Sequence, residues 1–268
     1  MATSSGKLLR RAFLAVMLGL CALSLQANMR APRALDFPPS SALEIPGETP
    51  DLIVSEESLS FALTPYSEDT EVNATHYGFA AVSAIYTIEV ARPGKYDLSF
   101  VTPDATPARA SLNDFEIPVD APILSPKQKD SRHKTWESHF HIVLNQGRNV
   151  ISVTYRQPVG AHEWNLGYFN RPKWHSDIHY ELWPLKEWQL APNFRLYINV
   201  QVADDTGWFS RLFSGSRWKV SACETRHGLP DEASCLDPVS SETPEHQLLQ
   251  HYEAGPDFPD HLRIRISE

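Results

Sequence analysis

Residues 84–101 decide how the rest of the chain is read: Ala84-Ile-Tyr-Thr-Ile-Glu-Val90, then Ala91-Arg-Pro-Gly-Lys95, then Tyr96-Asp-Leu-Ser-Phe-Val101. Apolar and polar side chains alternate on both sides of a Pro-Gly pair, which is the period of a strand with one buried and one solvated face. The spacing predicts a hairpin turned at Pro93-Gly94. The same pattern recurs from Trp136 to Leu144, turns at Asn145-Gln-Gly-Arg148 and resumes from Asn149 to Tyr155. A third predicted hairpin, Ala110 to Ile117, turns at Asn113-Asp114.

Working outward, short alternating runs precede and follow these units. Leu52 to Ser55 and Ser58 to Leu63 come first; His179 to Trp183, Phe194 to Val202, Arg217 to Cys223 and His261 to Ile266 come later. No window of helix length carries a 3.6-residue apolar stripe. Gly207 to Phe213 and Pro244 to Leu249 offer one or two turns at most. Short strands, turn residues and 21 prolines imply an all-β fold, an antiparallel β-sandwich or jelly roll followed by a smaller β unit. A boundary near Arg171-Pro172 makes residues 43–172 the jelly-roll-like sandwich and 173–268 the smaller unit; one continuous domain is the alternative.

The N-terminus reads as an address. Lys7, Arg10 and Arg11 precede an apolar run of 14 residues, Ala12 to Leu25. As a helix it would rise about 21 Å, short of the ~30 Å hydrocarbon core of a bilayer. Residues 1–27 are therefore a predicted signal peptide, cleaved after Ala27 with Ser24 as runner-up, and residues 28–42 a linker. Leu20 before Cys21 speaks against lipid attachment. No later segment is apolar enough to span a membrane, so a soluble periplasmic or secreted protein is expected. The whole chain has a net charge of −9, and losing the three leader cations leaves −12. That sign repels phosphate backbones, so nucleic acid is excluded as a partner class.

Cys223 and Cys235 remain after processing, and an even pair in an exported chain implies a disulfide. Zinc fits two cysteines of this spacing poorly without a local histidine pair.

Residues 86–169 resemble the working half of carbohydrate-binding jelly-roll modules. The elements that carry the resemblance are Tyr86-Thr-Ile-Glu-Val90, Pro93-Gly-Lys-Tyr-Asp-Leu98, Ser111-Leu-Asn-Asp114, Leu144-Asn-Gln-Gly-Arg-Asn-Val-Ile151 and Trp164-Asn-Leu-Gly-Tyr-Phe169. The last corresponds to the segment where such modules set a sugar-contacting Asn beside an aromatic, although Gly167 stands where an acidic residue is often found. The C-terminal half resembles exported bacterial β-sandwich proteins of unknown function, through Tyr180-Glu-Leu-Trp-Pro-Leu-Lys-Glu-Trp188 and the strand from Leu196 to Val202. That second likeness implies no activity.

Candidate sites follow from residue type. Pyranose rings present an apolar C–H face, so Trp136, Trp164, Asn165 and Trp174 form the expected ligand platform; core packing is the competing role for each Trp. Trp208, Phe209, Leu212 and Phe213, bracketed by Gly207 and Gly215, are the expected partner-docking patch if exposed. His139 and His141 flank Phe140 and share a strand face, as His175 and His179 do more loosely. Neither pair has a third ligand at a local spacing, so no metal site is expected. Carboxylate pairs such as Glu56-Glu57, Asp204-Asp205 and Asp231-Glu232 read as solvated. No nucleophile elbow, zinc-protease motif, phosphate loop or dinucleotide fingerprint is present, and no cofactor is implied. The sequence therefore points to a non-catalytic binding protein whose partner is an envelope protein or a glycan. The alternatives are a polysaccharide-active enzyme, an accessory carbohydrate-binding module or a purely structural component of the envelope.

Overall fold

The computed structural model describes residues 34–35, 39–45, 51–64, 78–105, 107–125, 134–164, 173–203, 218–226, 229–244 and 247–267. The fold is all-β. Its strands are β1 (Ala34–Leu35), β2 (Ser40–Ser41), β3 (Leu52–Thr64), β4 (Gly78–Val90), β5 (Gly94–Thr102), β6 (Arg109–Leu112), β7 (Phe115–Ile117), β8 (Ile123–Leu124) and β9 (Trp136–Leu144). They continue with β10 (Gly147–Trp164), β11 (Lys173–Glu181), β12 (Gln189–Ala203), β13 (Lys219–Arg226), β14 (Leu229–Cys235), β15 (Ser240–Glu242), β16 (Gln247–Ala254) and β17 (His261–Ser267). One helical turn, α1 (Trp183–Lys186), precedes β12.

The large sheet runs β14-β13-β17-β11-β10-β4-β3-β12-β16-β15, and a small sheet runs β5-β9-β8. The large sheet is mixed rather than purely antiparallel, because β3 and β12 pair in parallel, as do β2 and β11. Strands from both sides of Pro172 hydrogen-bond within this sheet, and their apolar side chains enter one buried cluster.

Two of the three expected hairpins are arches instead. β4 pairs with β3 and β10, whereas β5 pairs with β9, so the chain crosses from one sheet to the other at residues 91–93. The segment from β9 to β10 crosses in the same way, and Val90 lies opposite Gly147 while Gly94 lies opposite Leu144. The two arches thus stack side by side. Each strand has an apolar inner face, and crossing lets both faces meet across a shared core instead of lying in one layer. Asp51 fixes the first arch, its carboxylate accepting from Arg92 and its carbonyl from the Ala91 N–H. The buried Asn149 amide fixes the second, donating to the Asn145 and Gly147 carbonyls and accepting from the Asn145 N–H. Gly147 takes φ +91°, a conformation open to glycine at little cost. The third hairpin is real: β6 and β7 pair around Asn113 and Asp114, both at positive φ as a tight primed turn needs.

The large sheet curls almost shut. Phe61 on β3 and Tyr180 on β11 would sit about 14 Å apart across a flat sheet, yet their rings pack edge-on at 5.9 Å. The Tyr252 hydroxyl on β16 lies 3.4 Å from the Val220 carbonyl on β13, which brings together strands from opposite ends of the strand order. The small sheet covers the interior, with Phe100 of β5 stacked on Tyr155 of β10 and tilted against Phe140 of β9. Residues 39–45 tie the two sheets: the Ser41 hydroxyl accepts from the Val101 N–H, the Leu43 N–H donates to the Tyr86 hydroxyl, and Glu44 bridges Ser99. At one end Trp188 donates to the Leu43 carbonyl while Phe194 packs on Phe258. The expected disulfide joins Cys223 to Cys235 across β13 and β14.

One irregularity matters later. Leu52 and Val54 face inward, then β3 takes one extra residue against β4 at the same point where its pairing with β12 is interrupted, and Glu57, Leu59, Phe61 and Leu63 face inward instead. A bulge inserts one residue and reverses which side chains meet the core. Here it carries Glu57, expected in a solvated loop, into the interior.

Candidate functional site

Side chains on directly opposed residues share a sheet face, so the registers define what lines the outer surface of the large sheet. One row across seven strands reads Ser240, His251, Asn199, Ser60, Ser83, Thr154, Arg109. The next reads Glu242, Leu249, Gln201, Ala62, Ala81, Arg156. Small residues occupy the central strands and long ones the flanks, which produces a trough. Hollows of about 450 Å³ beside Asn199, Gln201, Glu242 and His251, about 440 Å³ beside Ser83, Arg109 and Thr154, and about 340 Å³ beside Phe79, Arg156 and Gln247 all share Ala62.

Both walls are ordered by side-chain contacts. His251 Nδ1 lies 2.7 Å from Asn199 Oδ1, its Nε2 lies 3.3 Å from Glu253, and its ring stacks on Tyr197 at 5.9 Å. With Nδ1 protonated and Asn199 Oδ1 accepting, the Asn199 amide keeps its N–H donors for a ligand. Opposite, the Arg156 guanidinium lies 4.1 Å above the Phe79 ring. Amides, hydroxyls and arginines thus surround a shallow floor of small side chains.

A second polar cluster lies on the outer face of β10, β11 and β17. His162 is directly opposite His175, their rings stack at 4.9 Å, and both lie 4.0 Å from Asp177. Among the described residues this is the one group of three His, Cys, Asp or Glu side chains close enough to hold a metal, one ligand atom from each lying within 4.8 Å. Its charges argue against that use. Arg265 holds both Asp177 oxygens at 2.8 Å, and Arg263 adds a second nearby cation. Burial raises the Asp177 carboxyl, but the Arg265 hydrogen bonds and charge outweigh it and hold the group below the usual carboxylate range. Burial first and Arg265 second push His175 down. The arrangement is an ion-pair network that repels a divalent cation.

In the interior, Glu57 is 0 % exposed, and neither carboxyl oxygen has a hydrogen bond of good geometry. Burial pushes its carboxyl up to about 8, against a smaller opposing pull from the nearby Tyr86 hydroxyl. Tyr86 and Tyr180 lie hydroxyl to hydroxyl at 3.4 Å close by, and burial raises both.

The residues singled out from sequence are scattered. Trp136 is half-buried on β9, opposite Thr102 and Leu124, in the small sheet. Trp164 and Trp174 belong to neighbouring strands of the large sheet, opposite Lys173 and Glu163. Asn165 and the segment holding Trp208, Phe209, Leu212 and Phe213 lie outside the described residues. His139 and His141 do share the outer face of β9, but each meets its own carboxylate, Glu137 at 3.3 Å and Asp97. The Asp97 hydrogen bond raises His141. For His175 the third partner that local spacing lacked comes from β10. Asp177, two residues on and on the same face, was the readable part of that cluster.

No protein-family model matches the chain, and no curated protein does. Among solved structures the chain is similar to a protein of Legionella pneumophila named for nutrient binding. The TM-score is 0.52 at 10% sequence identity, over 87% of this chain and 72% of the other. At that identity the likeness shows a shared fold alone.

Proposed function

We propose that this is an exported protein of the cell envelope that acts by binding rather than catalysis, and that its ligand is a glycan seated in the trough. The observation that carries the reading is the trough itself, where Asn199, Gln201, Ser60 and Ser83 offer hydrogen bonds along a floor of small side chains. Amides and hydroxyls in such a floor pair with the hydroxyls of a sugar. The basic leader followed by a short apolar run supports export, and so does the disulfide. The name of the Legionella protein supports a ligand-binding role. Trp136, Trp164, Asn165 and Trp174 are the competing platform for the same ligand class.

The test is retention of the purified, disulfide-bonded protein on an array of bacterial and plant glycans. Selective retention that falls about tenfold in Asn199→Ala, a loss of about 1.4 kcal/mol, supports the trough. Retention lost in Trp164→Ala with Asn165→Ala, and kept in Asn199→Ala, moves the site to the tryptophan platform. A blank array with folded protein defeats the glycan reading in favour of a protein partner. Cleavage of a retained glycan replaces binding with the polysaccharide-active enzyme reading.

A further inference from the structure

Resting on the glycan reading, we propose that the ligand is acidic, a uronate-bearing oligosaccharide whose carboxylates are held by Arg109 and Arg156. Arg109 lies directly opposite Thr154, and Arg156 follows two residues on along β10 on the same face. Such diagonal neighbours have Cα atoms about 7–8 Å apart, within reach of one carboxylate or of carboxylates on adjacent sugar units. Both arginines are exposed and line the trough. Among the described residues neither forms an ion pair, whereas Arg92 is held by Asp51 and Arg265 by Asp177. Glu116 borders a neighbouring hollow with Arg109 without pairing to it.

The Phe79 ring lies 4.1 Å beneath the Arg156 guanidinium, and an arginine seated on an aromatic face can still bind a planar carboxylate through two parallel hydrogen bonds from its N–H edge. The opposite wall is different in kind. Asn199, Gln201 and Ser240 are neutral, and Glu242 is anionic. A chain lying in the trough is thereby turned with its carboxylates toward β6 and β10 and its hydroxyls toward β12 and β16. The chain as a whole is acidic, but at physiological salt charges beyond about 8 Å are largely screened, so the two local arginines decide.

The experiment is calorimetric binding of a galacturonate octamer and of its methyl ester, the same chain without charge, to the full protein. The expected result is that the acid binds at least tenfold more tightly than the ester. Arg109→Gln and Arg156→Gln each lose about tenfold for the acid and nothing for the ester, and Arg156→Lys recovers only part of the loss. Circular dichroism on these surface variants verifies folding. Equal binding of acid and ester, or binding of neutral glycans alone, overturns the acidic ligand and leaves the trough reading standing. Binding of no glycan at all defeats both. Poly-glutamate binding as tightly as the octamer overturns the sugar ligand in favour of an acidic peptide.

Discussion

Replacing Glu57 by glutamine is expected to make the protein more stable at pH 8 and to remove much of its stability loss above pH 5. The folded carboxyl titrates near 8, against 4.5 for an ordinary one, because it is fully buried. A folded pKa above the unfolded one means the native state holds the extra proton, so stability is fully present below about 4.5 and is lost as pH rises to about 8. At about 1.4 kcal/mol per unit of pH, the interval amounts to roughly 5 kcal/mol by pH 8 and roughly 3.5 kcal/mol at pH 7. Glutamine keeps the shape and cannot ionise, and leaving its amide unsatisfied costs about 1–3 kcal/mol at every pH. The difference between wild type and variant isolates the effect, since other titrating groups cancel. It is read by urea unfolding followed through tryptophan fluorescence at pH 5, 6, 7 and 8, with the disulfide intact. The variant should gain on the wild type by several kcal/mol between pH 5 and 8. A difference that stays constant within about 1 kcal/mol over that range would refute the buried, uncompensated carboxyl.

Three further outcomes are expected. Gly147→Ala forces a side chain into φ +91°, where no neighbour crowds the new Cβ, so a backbone cost of about 1–2 kcal/mol should appear in thermal unfolding. Cys223→Ser with Cys235→Ser opens a loop with a sequence separation of 12 and should lower stability by about 3 kcal/mol, measured by urea unfolding against the oxidised parent. Asp177→Asn leaves Arg265 without its carboxylate and should cost about 3–5 kcal/mol. Because the folded Asp177 is held below the usual range, that contribution is present at neutral pH and lost only as acid protonates it, so the deficit of the variant should shrink below about pH 4 in acid unfolding.

Sequence periodicity showed which segments are strands more readily than which strands meet. Residues 84–101 alternate as expected, but alternation is the same whether the next strand returns in the same sheet or crosses to another; only the buried Asn149 and the Asp51–Arg92 contact, neither a hairpin signal, reveal the arches. Asn113-Asp114 and the cysteine pair were readable because a positive-φ turn and a short loop are local chemistry. The trough was not. Its residues appear in sequence as the outward halves of ordinary strands, and Ser60 meets Asn199 only through a parallel pairing that no local pattern marks. Glu57 did leave a trace: the inward positions pass from Leu52 and Val54 to Leu59, Phe61 and Leu63, a change of phase that requires one extra residue in between.

The parallel pairing of β3 with β12 also sets an order of events. Residues 52–64 present one edge to β4 almost at once, but their other edge has no native partner until residues 189–203 have emerged. Contacts of such long sequence separation form slowly. Through that interval the chain carries a long, apolar, unpaired strand edge, the feature most prone to pair with a neighbouring molecule. A chaperone that shields residues 52–64 until the second half arrives would therefore raise the yield of folded protein more than one acting on any later strand.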